Sequence, residues 1–368
     1  MTTPTPLNDW PSSILGLAPG RYLVRVPVAR LLSDHDLTLA VHILRGQADG
    51  PILGLLAGIH GDETPGVRCI RGLLGSAQPA EVRGAIVAVP VANPLAWQGQ
   101  QRTTPERDVD QANLARVFRM PMDPSPSPSP RKGGGPGRGE VTSPLPPPSG
   151  SLTRRLAAAL EQTFFSAITH LIDYHCFGRD TSVRLMLVRT TQAADPLAVS
   201  RQMARAFGVG VIREVTGGQG TTSALAAARG IPTCVAEMGG RLSREADNAF
   251  ARLGVDGGRR VMQTLGMVDA APAGVARQLT VEGVQLISPT TSGYYLPTYD
   301  LEDLVRPEFP CGIPVRAGDR LGEVFDPYTL QGVETLTAPD DGYLIALARG
   351  GPFQVGGWSL SLAQGRLE

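Results

Sequence analysis

The 368-residue chain has five histidines, His35, His42, His60, His170 and His175, and two of them end apolar runs of strand type. His60 lies in AGIHGDETPG, with Glu63 three residues on at the mouth of an expected helix. An imidazole and a carboxylate at that spacing can turn toward one cation, and Gly58 and Gly61 give the backbone room to bend. Taken alone, the pair is equally compatible with a carboxylate that merely caps the helix. His175 ends THLIDYH, where the two-residue strand period puts Asp173 on the same face one step deeper, placed to hold the imidazole by a hydrogen bond. Two histidines and one glutamate leave the fourth position of a zinc ion open for water, the arrangement of catalytic rather than structural zinc. His35, His42 and His170 are left with structural roles.

Glu237 closes the run IPTCVAEMGG. A carboxylate that follows Ile, Val and Ala is partly desolvated, which raises its pKa and suits a general base that takes a proton from water and returns it to a leaving amine. The competing role is a salt bridge to a neighbouring arginine. Other chemistries lack their residues: GxSxG, GxGxxG and GxxxxGK are all absent. Only Lys132 is lysine, against 33 arginines, and it stands in RKGGGPGRGE, so no ordered lysine is expected for a phosphate loop, a Schiff base or a biotin or lipoyl attachment.

These side chains need a scaffold that brings strand ends together. RYLVRVPVA (21–29), LTLAVHILRG (37–46), PILGLLAG (51–58) and GAIVAVPVANP (84–94) have strand character, and THLIDYH (169–175), VRLMLV (183–188), VGVIREV (209–215) and IPTCVAE (231–237) continue it. Helical periods separate them: the stretch after Pro65 with Val67, Ile70, Leu73 and Leu74 on one face, then 151–168, 196–207, 221–230 and 243–266. Buried strands alternating with helices predict an α/β fold, a mixed and largely parallel sheet flanked by helices, with its site at the carboxyl ends of the strands. Beyond residue 272 the pattern changes to short β runs broken by Gly, Pro and Asp, which predicts a small all-β barrel-like domain over 272–368 after an α/β domain over 1–271. Residues 121–150 hold 10 prolines and 6 glycines and are expected to form a Pro/Gly/Ser insertion without fixed structure.

The segments AGIHGDETPG, VPVANPLAWQGQQR, NLARVF, LIDYHCFG and CVAEMGG, in that order, resemble the succinylglutamate desuccinylase/aspartoacylase family, relatives of the zinc carboxypeptidases. The resemblance implies a zinc-carboxypeptidase-like fold, one zinc ion held by His60, Glu63 and His175, and Glu237 as general base. It also implies that the β-rich tail resembles a biotinyl/lipoyl-like barrel, although the tail has no lysine to carry either group. The family's DLNR-type segment corresponds to Asn113-Leu114-Ala115-Arg116. Arg116 matches the arginine that grips a substrate carboxylate, a task for which a planar guanidinium is suited. Asn113 stands for the aspartate and is carried as a second substrate-binding residue, while Ala115 replaces the asparagine and removes a hydrogen-bonding partner. Arg102, with Arg107 as alternate, matches the arginine that polarises the scissile carbonyl. Tyr294 and Tyr295 are candidates for reaching over the cleft, against a simpler role in the β core.

Equal numbers of acidic and basic residues, 34 each, argue against a nucleic-acid or anionic-membrane binder, so the expected partner is a small molecule. The opening MTTPTPLNDW lacks a targeting pattern and no run is long enough to span a membrane, which together read as cytoplasmic. Cys69, Cys176, Cys234 and Cys311 are too scattered for a disulfide framework or a cysteine zinc site. The expected activity is zinc-dependent removal of an acyl group from an N-acyl amino acid or similar small amide, a deacylase of the EC 3.5.1 type. A peptide-cleaving zinc carboxypeptidase and a catalytically decayed binding protein are the rivals, and a homo-oligomer is left open.

Overall fold

A computed structural model describes residues 3–106, 112–119, 150–178, 180–240, 243–270, 277–357 and 360–368. Arg107, Lys132, nearly all of the 121–150 stretch and the expected boundary beside Pro272 lie outside these residues. The first half contains β1 (Thr5–Leu7), β2 (Gly20–Arg30), β3 (Asp36–Arg45), β4 (Ala48–Leu56), α1 (Pro65–Ser76), β5 (Arg83–Val89) and α2 (Pro94–Gly99). There follow α3 (Leu152–Gln162), α4 (Phe164–Ala167), β6 (His170–His175), β7 (Thr181–Arg189), α5 (Ala194–Phe207), β8 (Val211–Val215), α6 (Thr222–Ala228), β9 (Thr233–Gly240) and α7 (Arg244–Thr264). The last part is strands, apart from one short 3-10 turn: β10 (Leu279–Ile287), β11 (Gly293–Pro297), β12 (Ile313–Val315), β13 (Arg320–Phe325), β14 (Gly332–Thr337), β15 (Gly342–Ala348), β16 (Gly351–Phe353) and β17 (Leu360–Leu367).

The main sheet runs β1-β2-β3-β5-β4-β6-β9-β7-β8-β10-β17-β15-β12, and β14-β13-β11-β16 form a smaller one. Its centre, β5-β4-β6-β9, is parallel, as the unbroken apolar runs predict for strands covered on both faces. β7 then enters antiparallel to β9, and β8 returns parallel to β7. The sheet is therefore α/β and mixed, parallel where the site is built. It also continues into the tail: β10 pairs parallel with β8, and β15 pairs antiparallel with β7. The tail differs in composition from the rest, and while β11, β13, β14 and β16 form the smaller sheet, β10, β12, β15 and β17 extend the main one.

Local sequence accounts for most of the elements. In α1, Pro65 opens the helix and Cys69, Ile70, Leu73 and Leu74 are buried at the three- and four-residue spacing of one helical face. Those side chains pack on Leu53 and Leu55 of β4 and on Tyr174 of β6, and each such leucine or isoleucine stabilises the fold by roughly 1.5–3 kcal/mol. The helix expected over 151–168 breaks into α3 and α4 at Thr163, whose hydroxyl donates to the Ala159 carbonyl at 2.6 Å while its backbone turns to φ −110, ψ −73. All four cysteines are free and buried. Among the described residues no helix is long and apolar enough to cross a membrane.

Candidate active site

Three parallel strands deliver the expected side chains to one place. β4, β6 and β9 are neighbours, and their carboxyl ends carry the loop with His60 and Glu63, then His175, then Glu237. His175 and Glu237 are direct register partners. The loop after β4 can make its turn because two positions carry no side chain. Gly58 has φ +64, and a Cβ on Gly61 would lie 2.0 Å from the backbone of Ala96 in α2. Asn93, which accepts from the Ala96 amide at 3.2 Å and donates to Thr104 at 3.0 Å, fixes α2 against that loop.

Glu63 does not cap α1. Its Oε1 lies 2.8 Å from His60 Nδ1 and its Oε2 lies 2.9 Å from His175 Nδ1. The Cys176 amide donates to Oε2 at 3.2 Å and Arg102 Nη1 donates to Oε1 at 2.9 Å. One ligand atom from each of His60, Glu63 and His175 lies within 4.8 Å of the other two, and the two imidazoles are 5.3 Å apart at their centres. Each ring also has an oxygen at its far nitrogen: Asn113 Oδ1 at 3.2 Å from His60 Nε2, and Asp173 Oδ1 at 3.3 Å from His175 Nε2. Thr222 in turn donates to the other oxygen of Asp173. With an outer oxygen placed to take each Nε2 proton, both Nδ1 atoms, which face Glu63, would be available to a borderline cation that takes nitrogen and carboxylate oxygen together.

The electrostatics of the cluster point the same way. Burial alone would raise the Glu63 pKa, but the charges and hydrogen bonds of His175 and His60 outweigh it and hold the carboxyl well below the usual range. Burial would likewise lower the His175 pKa, yet Asp173 and Glu63 push it well above its ordinary value. A zinc ion fits the donor set, with neutral imidazole nitrogens and a carboxylate within reach of one centre.

Glu237 behaves differently. Its Oε2 is buried and has no hydrogen-bond partner among the described residues. Burial, aided by the charges of Glu63 and Asp173 and opposed by His175, pushes its pKa up to about 7. No arginine salt bridge is formed by it among the described residues. A buried acceptor without a partner is costly and calls for an explanation, which a water or a substrate proton would provide.

His60, Glu63, Arg102, Ala115, Arg116, Asp173, His175 and Glu237 all line one cleft of about 640 Å³. Arg102 reaches the cluster, whereas Arg116 is exposed and its Nη1 donates to the Ala115 carbonyl at 2.9 Å. Asn113 stands behind His60, its side-chain oxygen also accepting from the Ala115 amide at 2.9 Å, so it supports the loop and the imidazole. Tyr294 and Tyr295 do not reach the cleft. Tyr294 stacks on Phe325 with centres 5.0 Å apart, and Tyr295 is buried in the small sheet with its hydroxyl 3.4 Å from the Leu321 carbonyl. The cleft also contains residues that the sequence reading missed: Thr222, Arg189, Arg213 and, from the tail, Val284 and Leu286. Arg213 had a visible signal, as the single charged residue at an inward strand position in VGVIREV.

Residues 49–133 match the catalytic domain of the succinylglutamate desuccinylase/aspartoacylase family, a stretch that contains His60, Glu63, Arg102, Asn113 and Arg116. No curated protein matches the chain. Among solved structures, a succinylglutamate desuccinylase/aspartoacylase from Rhodobacter sphaeroides is similar at 21% identity and a TM-score of 0.73, covering 98% of this chain and 99% of its own. The product-bound ectoine utilization protein EutE (DoeB) from Ruegeria pomeroyi is similar at 19% identity and a TM-score of 0.72, with 94% and 96% covered. A succinylglutamate desuccinylase from Silicibacter sp. TM1040 gives 18% identity and a TM-score of 0.73, with 97% and 100% covered. The fold is shared along nearly the whole chain, and the family resemblance is borne out over residues 49–133.

Proposed function

We propose that this chain, whose residues 49–133 match the catalytic domain of the succinylglutamate desuccinylase/aspartoacylase family, is a zinc-dependent amidohydrolase that removes an acyl group from an N-acyl amino acid or a similar small amide. The observation that carries this reading is the pairing of a convergent His60–Glu63–His175 cluster with a neighbouring carboxylate, Glu237, whose buried Oε2 has no partner among the described residues. His60, Glu63 and His175 would hold one zinc ion, which when bound supplies Lewis acidity toward the amide carbonyl and toward water.

The protein's own groups do the rest. Glu237 Oε2 accepts a proton from the attacking water and hands it to the leaving amine nitrogen. A pKa raised by burial suits both directions of that transfer. Asp173, held by Thr222, has its other oxygen 3.3 Å from His175 Nε2, where its charge can orient the ring, and Asn113 stands in the corresponding place behind His60. Arg102 keeps one N–H on Glu63 and has four others to offer the oxygen that gains negative charge in the transition state. Arg116 grips the carboxylate of the amino acid product half as a fork. Ala115 brings no amide group to the cleft wall and Asn113 is engaged behind His60, so carboxylate recognition falls to arginine.

The test is a hydrolysis screen of N-acetyl, N-succinyl and N-formyl amino acids, with zinc quantified in the same sample. About one zinc per chain and turnover of one of these classes are expected. Cleavage of peptides in place of N-acyl amino acids would favour the carboxypeptidase, and purified protein with neither zinc nor turnover would favour a binding protein.

A further inference from the structure

The floor of the cleft extends well beyond the metal cluster. Asp173 on β6 is the register partner of Val235 on β9, Val235 of Leu187 on β7, and Leu187 of Arg213 on β8. Paired residues in a sheet point to the same face, and all four line the cleft. The row therefore runs from the carboxylate behind His175, over two apolar side chains, to a guanidinium three strands away, about 14 Å at the backbone. Val284 and Leu286 of β10 line the same stretch, and Leu286 is 64% exposed. Arg213 is half-buried and has no carboxylate partner among the described residues. Arg189, also in the cleft, donates to Ser223, Thr221 and the Gly217 carbonyl, whereas Arg213 makes no hydrogen bond among the described residues.

We infer that Arg213 is a specificity-determining residue that binds a second carboxylate of the substrate, remote from the scissile amide and joined to it by an aliphatic spacer lying over Val235 and Leu187. This deepens the deacylase reading and rests on it. A guanidinium reaching back along the floor brings the anion to about 10 Å from the metal ligands, so the spacer is about four to six methylenes long. Arg116 then holds the carboxylate nearest the amide, and Arg213 holds the far one.

A matched pair of substrates tests the assignment: N-octanoylglycine and N-suberoylglycine differ only in the terminal carboxylate, and N-acetyl-2-aminosuberate moves that group to the amine side. The zinc-loaded enzyme should prefer whichever dicarboxylate places its far anion at Arg213. Arg213→Gln should raise KM for that substrate on the order of 10- to 100-fold with kcat within about threefold, while N-octanoylglycine changes less than about threefold. Arg213→Lys should restore part of the loss. A general structural defect would lower turnover of both substrates together and would overturn the assignment, as would the absence of any preference for a terminal carboxylate. Calorimetric titration with suberate separates the two layers. If no N-acyl amino acid is turned over, the deacylase reading fails. Suberate binding that is lost in Arg213→Gln still supports the anion site, and equal suberate affinity in both proteins overturns it.

Discussion

The two ends of one cleft are built to different standards. On the β6–β9 side, His60, Glu63, His175 and Asp173 are tied to one another and to Asn113, Thr222 and Cys176, and the atoms that matter are buried. On the β8 side, Arg213 stands on a long side chain with no ion-pair partner among the described residues, in a cleft that exposed Leu286 also lines. Bond-making chemistry tolerates little positional error, so its groups are short and cross-braced. Recognition of an anion is served by a flexible fork that can adapt, and its side chain can change without disturbing the centre.

Breaking the braced end should have the largest effect. Glu63→Ala removes the residue that joins both imidazoles, and zinc analysis should then show loss of the metal with hydrolysis at background. Glu237→Gln comes next: the metal should stay near one per chain while kcat drops by about 10²–10⁴-fold. Unimpaired turnover in that variant would end the assignment of Glu237 as base. Thr222→Val, which frees Asp173, should weaken zinc by about 10–100-fold in a competition titration and leave the fold intact.

The smallest effect concerns stability and has a definite sign. Glu237 has a folded pKa of about 7, against roughly 4.3 when unfolded, so raising the pH ionises the unfolded chain first. The metal-free wild type should lose up to about 4 kcal/mol between these two values and regain it on acidification. Melting temperatures of metal-free wild type and Glu237→Gln should coincide near pH 4 and separate toward pH 8, with the glutamine variant the more stable. Wild type equal to the variant at pH 8 would show that Glu237 is not strained by burial. The same substitution thus stabilises the protein and abolishes its proposed chemistry, which is the expected trade at a braced centre.

The braced end was legible in the sequence because its residues stand at strand ends within recognisable spacings. Apolar runs locate the strands, and a histidine or glutamate just after such a run has few places to point. Glu63 remained ambiguous between cap and ligand until His175, more than a hundred residues later, was seen at its other oxygen. Thr222 was invisible for the same reason, since nothing in TTSALAAARG announces Asp173. Arg213 could have been flagged as a charge in an apolar run, but not interpreted. Whether its face of β8 opens on the cleft depends on β7 entering antiparallel and on β10 flanking β8, and both are long-range pairings. Likewise the altered composition of the tail was plain, whereas its attachment to the main sheet was not.

That attachment bears on how the molecule is made. Residues 181–183 of β7 pair with 346–348 of β15, so the strand beside Glu237 keeps an unfilled edge until the tail exists. At ribosomal rates of about 5–20 residues per second, the wait is roughly 10–30 s. For the first part of that time β8, too, lacks its β10 neighbour and exposes a hydrogen-bonding edge of the kind that recruits other chains. The nascent protein is therefore most exposed to misassembly after His60, Glu63, His175 and Glu237 have all been synthesised, and pulse-chase folding assays should find chaperone dependence concentrated in that interval.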